Sequence, residues 1–282
     1  MVPWCDRAGR LSWLKLAVFV ALFLPALWVA WKYANGLLGP RPANAAVRDV
    51  GAWMIRFLFI SLAVTPLREA FGWTHLLEVR RMIGVGAFAY GLAHITLFAA
   101  QESWKWGFVA AEIVRRIYLT IGFVGLAGLA VLAITSTDGW QRRLRANWQR
   151  LHKAIYVIAV LAAVHFFIQS KAQVTEPILM MGLYLWLMAA RADSRGFGGG
   201  RRRRPTALRL VLIGAGAAVA TALGEAAWYA FKIGASPVMV LAANLRDQGF
   251  RPAWGVAIGV GIVLLPALVR AASRRISARR PA

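Results

Sequence analysis

Long apolar runs alternate along this chain with short polar breaks, most of them basic. A membrane-crossing helix needs about 20 mostly apolar residues, and eight stretches qualify as candidates: roughly 13–31, 50–66, 82–100, 117–135, 153–170, 177–190, 207–230 and 254–270. The sixth is short for a span. The pattern predicts an all-α, multi-pass transmembrane bundle, six core helices followed by two extra C-terminal ones.

The breaks set the expected orientation, because Lys and Arg concentrate on the cytoplasmic side. With the N-terminus in the cytoplasm, Arg80 and Arg81, then Arg142, Arg143, Arg145, Arg150 and Lys153, then Arg201 to Arg204, then the basic segment from Arg270 to Arg280 all fall on that side. The opposite loops hold far fewer cations: Lys32, Arg41 and Arg48; Lys105, Arg115 and Arg116; Lys171; and Lys232, Arg246 and Arg251. Both termini are therefore expected in the cytoplasm. The first apolar run, with Arg7, Arg10 and Lys15 around its start, resembles a secretion signal only superficially. It is long, and the tempting Ala43-Asn44-Ala45 cleavage pattern lies well beyond its end, so it reads as a retained first span.

Composition sharpens this picture. The 282 residues are 60% hydrophobic and carry a formal net charge of +23. Such a charge usually suggests nucleic acid, but with this hydrophobicity it fits a membrane protein with basic loops, and no nucleic-acid partner is expected. The single cysteine, Cys5, has no internal partner for a disulfide. A glycine- and arginine-rich break divides the chain into an N-terminal membrane domain (1–194), a cytoplasmic linker (195–206) and a two-helix extension with a basic tail (207–282). Just past the linker, Gly214 and Gly216 imitate a dinucleotide-binding loop, but Val219 stands where the third glycine belongs. Too little chain follows for a nucleotide domain, so the small residues are expected to serve helix packing.

Candidate chemistry resides in four histidines: His75 in a cytoplasmic break, His94 in the third span, and His152 and His165 around the fifth. Ionisable side chains inside a span are costly unless paired or bound to something. His94 follows Arg81, and His165 follows His152, by the same thirteen residues, which at 1.5 Å per residue places each about 20 Å from the cytoplasmic boundary. The third and fifth spans run in the same direction, so the two imidazoles can sit at one level as axial ligands of a single haem. Gly84, Gly86, Ala87, Gly91 and Ala93 on one helix, and Ala159, Ala162 and Ala163 on the other, leave room for a flat macrocycle or simply let helices pack. A structural or proton-relay role for both histidines stays open at this point.

His152 fits less easily. On a straight helix it lies roughly 140° around from His165. Either the helix is offset, or the two face different neighbours, or only one is a ligand. The same level of the third span offers Arg80 and no histidine, and His75 reaches it only by folding back. The surrounding cluster of Arg142, Arg143, Arg145, Arg150 and Lys153 with Trp140 and Trp148 is first a topology signal. It is also a surface able to take haem propionates, a flavin phosphate or an acidic partner.

The segments VTPLREA, VRRMIGVGAFAYGLAH, RRIYLTIGF and TSTDGWQRRLRANWQRLHKAIYVIAVLAAVH together resemble the MsrQ/YedZ family, haem-binding membrane subunits of bacterial periplasmic methionine sulfoxide reductase systems, which belong to the ferric-reductase-like transmembrane cytochromes. The resemblance covers roughly residues 11–191 and rests on the order and spacing of Arg80, Arg81, His94, Trp148, His152 and His165. It implies haem ligation by His94, His152 and His165, with Arg80 and Arg81 among the cofactor-binding residues. It further implies a b-type cytochrome of the bacterial inner membrane carrying one or two haems, with FMN associated at the cytoplasmic side. Electrons would come from a cytoplasmic flavin reductase or from quinol and pass to a periplasmic molybdopterin-containing subunit that reduces methionine sulfoxide in proteins. The last two spans extend beyond the family core.

The residues agree with this role in one respect. No soluble stretch is large enough for a flavin and nicotinamide domain, so electrons must come from another molecule. No hydrolytic constellation is present, and the chain would contribute haem position and tuning rather than substrate turnover. Two other readings compete: a stand-alone ferric or quinone reductase using the same haem, and a transporter or proton channel with a histidine relay. The second would favour inverted repeats, and no convincing internal repeat is visible in the sequence.

Overall fold

The computed structural model describes residues 4–5, 9–71, 74–171, 173–195, 207–246 and 249–278. The glycine–arginine run at 196–206 lies outside them. The described chain is helical throughout, apart from an isolated antiparallel bridge between Cys5 and Leu11. Six helices are long and apolar enough to cross a membrane: Trp13–Ala34, Pro42–Arg68, Leu76–Gln101, Ile117–Ile134, Ala146–Gln169 and Arg209–Ile233. Six of the eight expected spans thus have their helix.

The other two expected spans lie in helices that are not among these six. The stretch at 177–190 lies in the helix Thr175–Arg195, whose apolar run is flanked by Glu176 on one side and Arg191 and Asp193 on the other. The stretch at 254–270 lies within the 27-residue helix Pro252–Ala278, which is apolar over Pro252–Ile262.

Two compact units divide the chain. The first comprises residues up to Leu62 together with His75–Gln169. Its elements are α1 (Trp13–Ala34), the first part of α2 (Pro42–Phe71), α3 (Leu76–Gln101), α4 (Trp106–Arg115), α5 (Ile117–Ile134), α6 (Asp138–Leu144), α7 (Ala146–His152) and α8 (Ile155–Gln169). The most extensive helix pair here is α5 with α8. Leu58, Leu62, Ala87, Ala99 and Ala159 are fully enclosed, whereas Phe23, Leu24, Leu27 and Trp28 of α1 face outward. In a bilayer the outward face must also be apolar, and this accounts for the exposed side chains without a partner surface.

Pro25 lies inside α1, where it removes a backbone donor. Beside it, the Tyr90 hydroxyl of α3 enters the helical ladder: it accepts from the Ala26 amide at 2.9 Å and donates to the Leu22 carbonyl at 2.7 Å. The Ala26 amide and the Leu22 carbonyl are thereby both paired at a point where lipid offers no substitute. Gly86, one turn before Tyr90, allows the approach, since a Cβ there would lie 2.9 Å from Leu22 Cδ2. Tyr90→Phe leaves the Ala26 amide and the Leu22 carbonyl unpaired and is expected to cost about 1–3 kcal/mol, read as a lowered thermal midpoint of the detergent-purified protein.

The second unit comprises residues 63–74 and 170–282, with α9 (Thr175–Arg195), α10 (Ala207–Ile233), α11 (Pro237–Ala243) and α12 (Pro252–Ala278). Contacts thus group α9 with the C-terminal helices. Glycines set its close packing: a Cβ at Gly255 would lie 2.6 Å from Leu179 Cδ1, and Gly214 faces Val260. Gly214 therefore sits within a helix and serves packing, in keeping with the sequence reading. Glu225 of α10 is 1% exposed and accepts from Arg251 Nη1 at 3.2 Å.

Candidate haem-ligand site

His94 and His165 come together. His94 sits past the middle of α3 and His165 near the end of α8, their ring centroids 6.4 Å apart and their planes inclined at 80°. His94 Nδ1 lies 2.8 Å from the Val47 carbonyl of α2, and His165 Nδ1 lies 2.7 Å from the Tyr118 carbonyl of α5. A carbonyl only accepts, so each Nδ1 must carry the proton, and each neutral ring keeps its lone pair on Nε2.

This donor set suits a metal held from two sides. A metal–imidazole bond of about 2 Å on each side, plus about 1 Å from each nitrogen to its ring centre, requires roughly 6 Å between centroids. The observed separation matches. Among the described residues no three His, Cys, Asp or Glu side chains gather as a metal-binding group, so the arrangement fits two axial ligands of a flat macrocycle better than a tetrahedral ion site.

Glycines not recognised from the sequence complete the site. Gly51 of α2 lies under the His94 ring and Gly122 of α5 under the His165 ring; a Cβ would meet Nδ1 at 2.8 Å and 2.6 Å respectively. Several of the small residues singled out from the sequence lie at helix contacts or in the core. Gly91 faces Leu126 and Met54, Gly86 faces Leu22, and Ala159, Ala162 and Ala163 are buried on α8. The signal that would have found Gly51 and Gly122 is their common spacing from the two histidines.

His152 is not brought to the pair. The expected single helix is interrupted at Lys153–Ala154, so His152 ends α7 while His165 belongs to α8. Its ring stacks on Trp148 with centroids 4.0 Å apart, and its Nε2 lies 3.2 Å from Thr135 Oγ1. Trp148 Nε1 donates to the Thr135 carbonyl at 2.8 Å, so one residue at the end of α5 anchors both rings. Arg80 and Arg81 lie within electrostatic reach of His152. Arg81 is engaged by Asp138 Oδ1 at 2.5 Å and Gln141 Oε1 at 3.0 Å, and the Arg80 carbonyl accepts from Ser61 Oγ at 3.4 Å. His75 occupies the N-cap position of α3 without a side-chain capping bond, exposed, its Nδ1 3.2 Å from Glu78 Oε1.

Comparison with known proteins places the chain in a family. Residues 50–163 match the family described as ferric reductase like transmembrane component, an interval that contains His94, His152 and Gly51 and Gly122 but ends just short of His165. A protein-methionine-sulfoxide reductase heme-binding subunit MsrQ of Rhodospirillum rubrum is 40% identical over 188 residues, covering 66% of this chain and 88% of that protein. Proteins of the same description from Xanthomonas oryzae pv. oryzae and Xanthomonas campestris pv. campestris are each 39% identical, covering 61% and 64% of this chain and 80% and 86% of theirs. No solved structure matches. With a relative this similar matched over most of its length, the chain belongs to the MsrQ family of heme-binding subunits of protein-methionine-sulfoxide reductase.

Proposed function

We propose that this chain is a b-type cytochrome subunit of the bacterial inner membrane. It would carry electrons from a cytoplasmic flavin reductase or the quinol pool to a periplasmic molybdopterin-containing subunit that reduces methionine sulfoxide in proteins. The observation that carries the reading is the facing pair, His94 and His165, at 6.4 Å with both Nδ1 protons already committed to backbone carbonyls. The same commitment disfavours a proton relay, which needs both ring nitrogens free to exchange. Bound haem supplies a one-electron iron couple at the level of these rings.

The chain's own residues do the remaining work. His94 and His165 would hold the haem iron, with the helices that carry them and their carbonyl partners, α2, α3, α5 and α8, around it. His152 is proposed as the third ligand residue of the family set, serving a second level nearer the cytoplasm, with Arg80 and Arg81 as cationic partners for haem propionates or an FMN phosphate. The distribution of Lys and Arg supports cytoplasmic termini, with His94 and His165 in the periplasmic half of the bilayer.

Purification in detergent followed by a dithionite-reduced minus oxidised spectrum tests the proposal. Sharp low-spin b-type bands are expected, and the reduced protein should be reoxidised by the periplasmic catalytic subunit only when methionine sulfoxide is present. A colourless protein after expression with added haem would overturn the cytochrome reading; reoxidation by ferric chelates but not by that subunit would turn it into a stand-alone reductase.

A further inference from the structure

The two histidine sites share a construction that ligation alone does not require. Four residues after each carbonyl acceptor stands a glycine: Gly51 follows Val47, and Gly122 follows Tyr118. The interval from acceptor to histidine is 47 residues in both cases. One constant shift along the chain therefore carries carbonyl, glycine and histidine of the first site onto those of the second, a repeat confined to three positions.

Helix geometry explains why the glycine sits where it does. Each Cα–Cβ bond tilts toward the helix N-terminus, so the side chain at one position covers the carbonyl of the residue four before it. That carbonyl already accepts from the amide of the same covering residue. Its second lone pair is open to a donor from another helix only if the covering side chain is absent. At Gly51 a Cβ would lie 2.8 Å from His94 Nδ1 and 2.9 Å from Cε1; at Gly122 it would lie 2.6 Å from His165 Nδ1, 2.8 Å from Cε1 and 2.9 Å from Cγ. A methyl group at either position and the observed imidazole occupy the same space. By contrast, Gly216 and Gly224 of α10 have nothing within 4 Å of an added Cβ.

We propose that Val47 with Gly51 and Tyr118 with Gly122 are two copies of one positioning device, a helix carbonyl uncovered by glycine that receives the Nδ1–H of an axial histidine and sets the orientation and donor strength of its Nε2. The proposal rests on the haem reading above. It makes Gly51 and Gly122 positioning residues that act through His94 and His165, on the general rule that the partner of a ligating imidazole tunes the metal it holds.

The test uses the full chain in detergent with Gly51→Ala and Gly122→Ala, and with Gly216→Ala and Gly224→Ala as controls. Haem per protein, midpoint potential and ferric low-temperature EPR are measured for each. The two site variants are expected to hold haem about 10- to 100-fold more weakly, and what they retain is expected to show a displaced potential and altered low-spin g values; the controls keep the wild-type values. Site variants whose retained haem has wild-type potential and g values overturn the proposal, whatever their yield, because packing alone then explains the glycines. A haem-free wild type would instead remove the cytochrome reading itself.

Should neither site variant fold, the wild type still decides. Protein labelled with carbonyl-13C tyrosine carries six labelled positions. A redox-triggered infrared difference spectrum is expected to contain an isotope-shifted amide band that disappears in Tyr118→Phe, which keeps the carbonyl and loses the label. Its absence from the labelled wild type overturns the proposal.

Discussion

His94→Ala and His165→Ala are each expected to abolish the low-spin reduced-minus-oxidised bands and to lower haem retention at least tenfold, by about the factor or more that losing a mere partner of a ligand costs. The two rings face each other at 6.4 Å from different helices, so neither helix supplies a substitute donor when one ring is removed. Addition of imidazole to either variant should restore low-spin bands in part, because truncation to alanine leaves space for the free ligand beside the same iron position. His152→Ala separates the levels. Its Nε2 faces Thr135 and its ring stacks on Trp148, so the bands owed to His94 and His165 should survive while any second component is lost. Collapse of all bands in the His152 variant, with intact bands in either of the others, would show that the axial pair has been wrongly assigned.

Much of this arrangement was legible in the sequence, for a reason peculiar to membranes. Hydropathy identifies a span because lipid selects apolar side chains all round the helix, and six of the expected spans are helices of the right length. The equal depth of His94 and His165 followed from simple rise per residue, and the structure places their rings together. The same uniform apolarity hides which side of each helix faces which neighbour. Gly51 and Gly122 were therefore invisible among many glycines, since their importance lies in a contact with a histidine on another helix. The awkward angle of His152 had its cause in a local break at Lys153–Ala154, where no proline or glycine marks the interruption.

Arg251→Met is expected to destabilise the second unit by about 3 kcal/mol, the largest effect of any change away from the histidines. Glu225 is almost wholly buried, with its side chain 2% exposed, and Arg251, 22% exposed, is the cation that meets it at 3.2 Å. Removing the guanidinium leaves a buried carboxylate without the cation that meets it. Among the described residues the pair is nevertheless poorly satisfied: Glu225 Oε2, Arg251 Nε and Asn244 Oδ1 are buried without hydrogen-bond partners there, although Trp254 Nε1 donates to the Asn244 carbonyl at 2.9 Å. Desolvation of both charges is therefore offset by a single good contact. Replacing both together, Glu225→Leu with Arg251→Met, should recover most of the stability lost in the single variant, since an apolar pair of similar size carries no such desolvation cost. Thermal midpoints of the two single variants and the double variant, measured in detergent, form the cycle that checks this. Additive losses in the double variant would mean that the two charges are not coupled, and that Glu225 is held in α10 by packing rather than by Arg251.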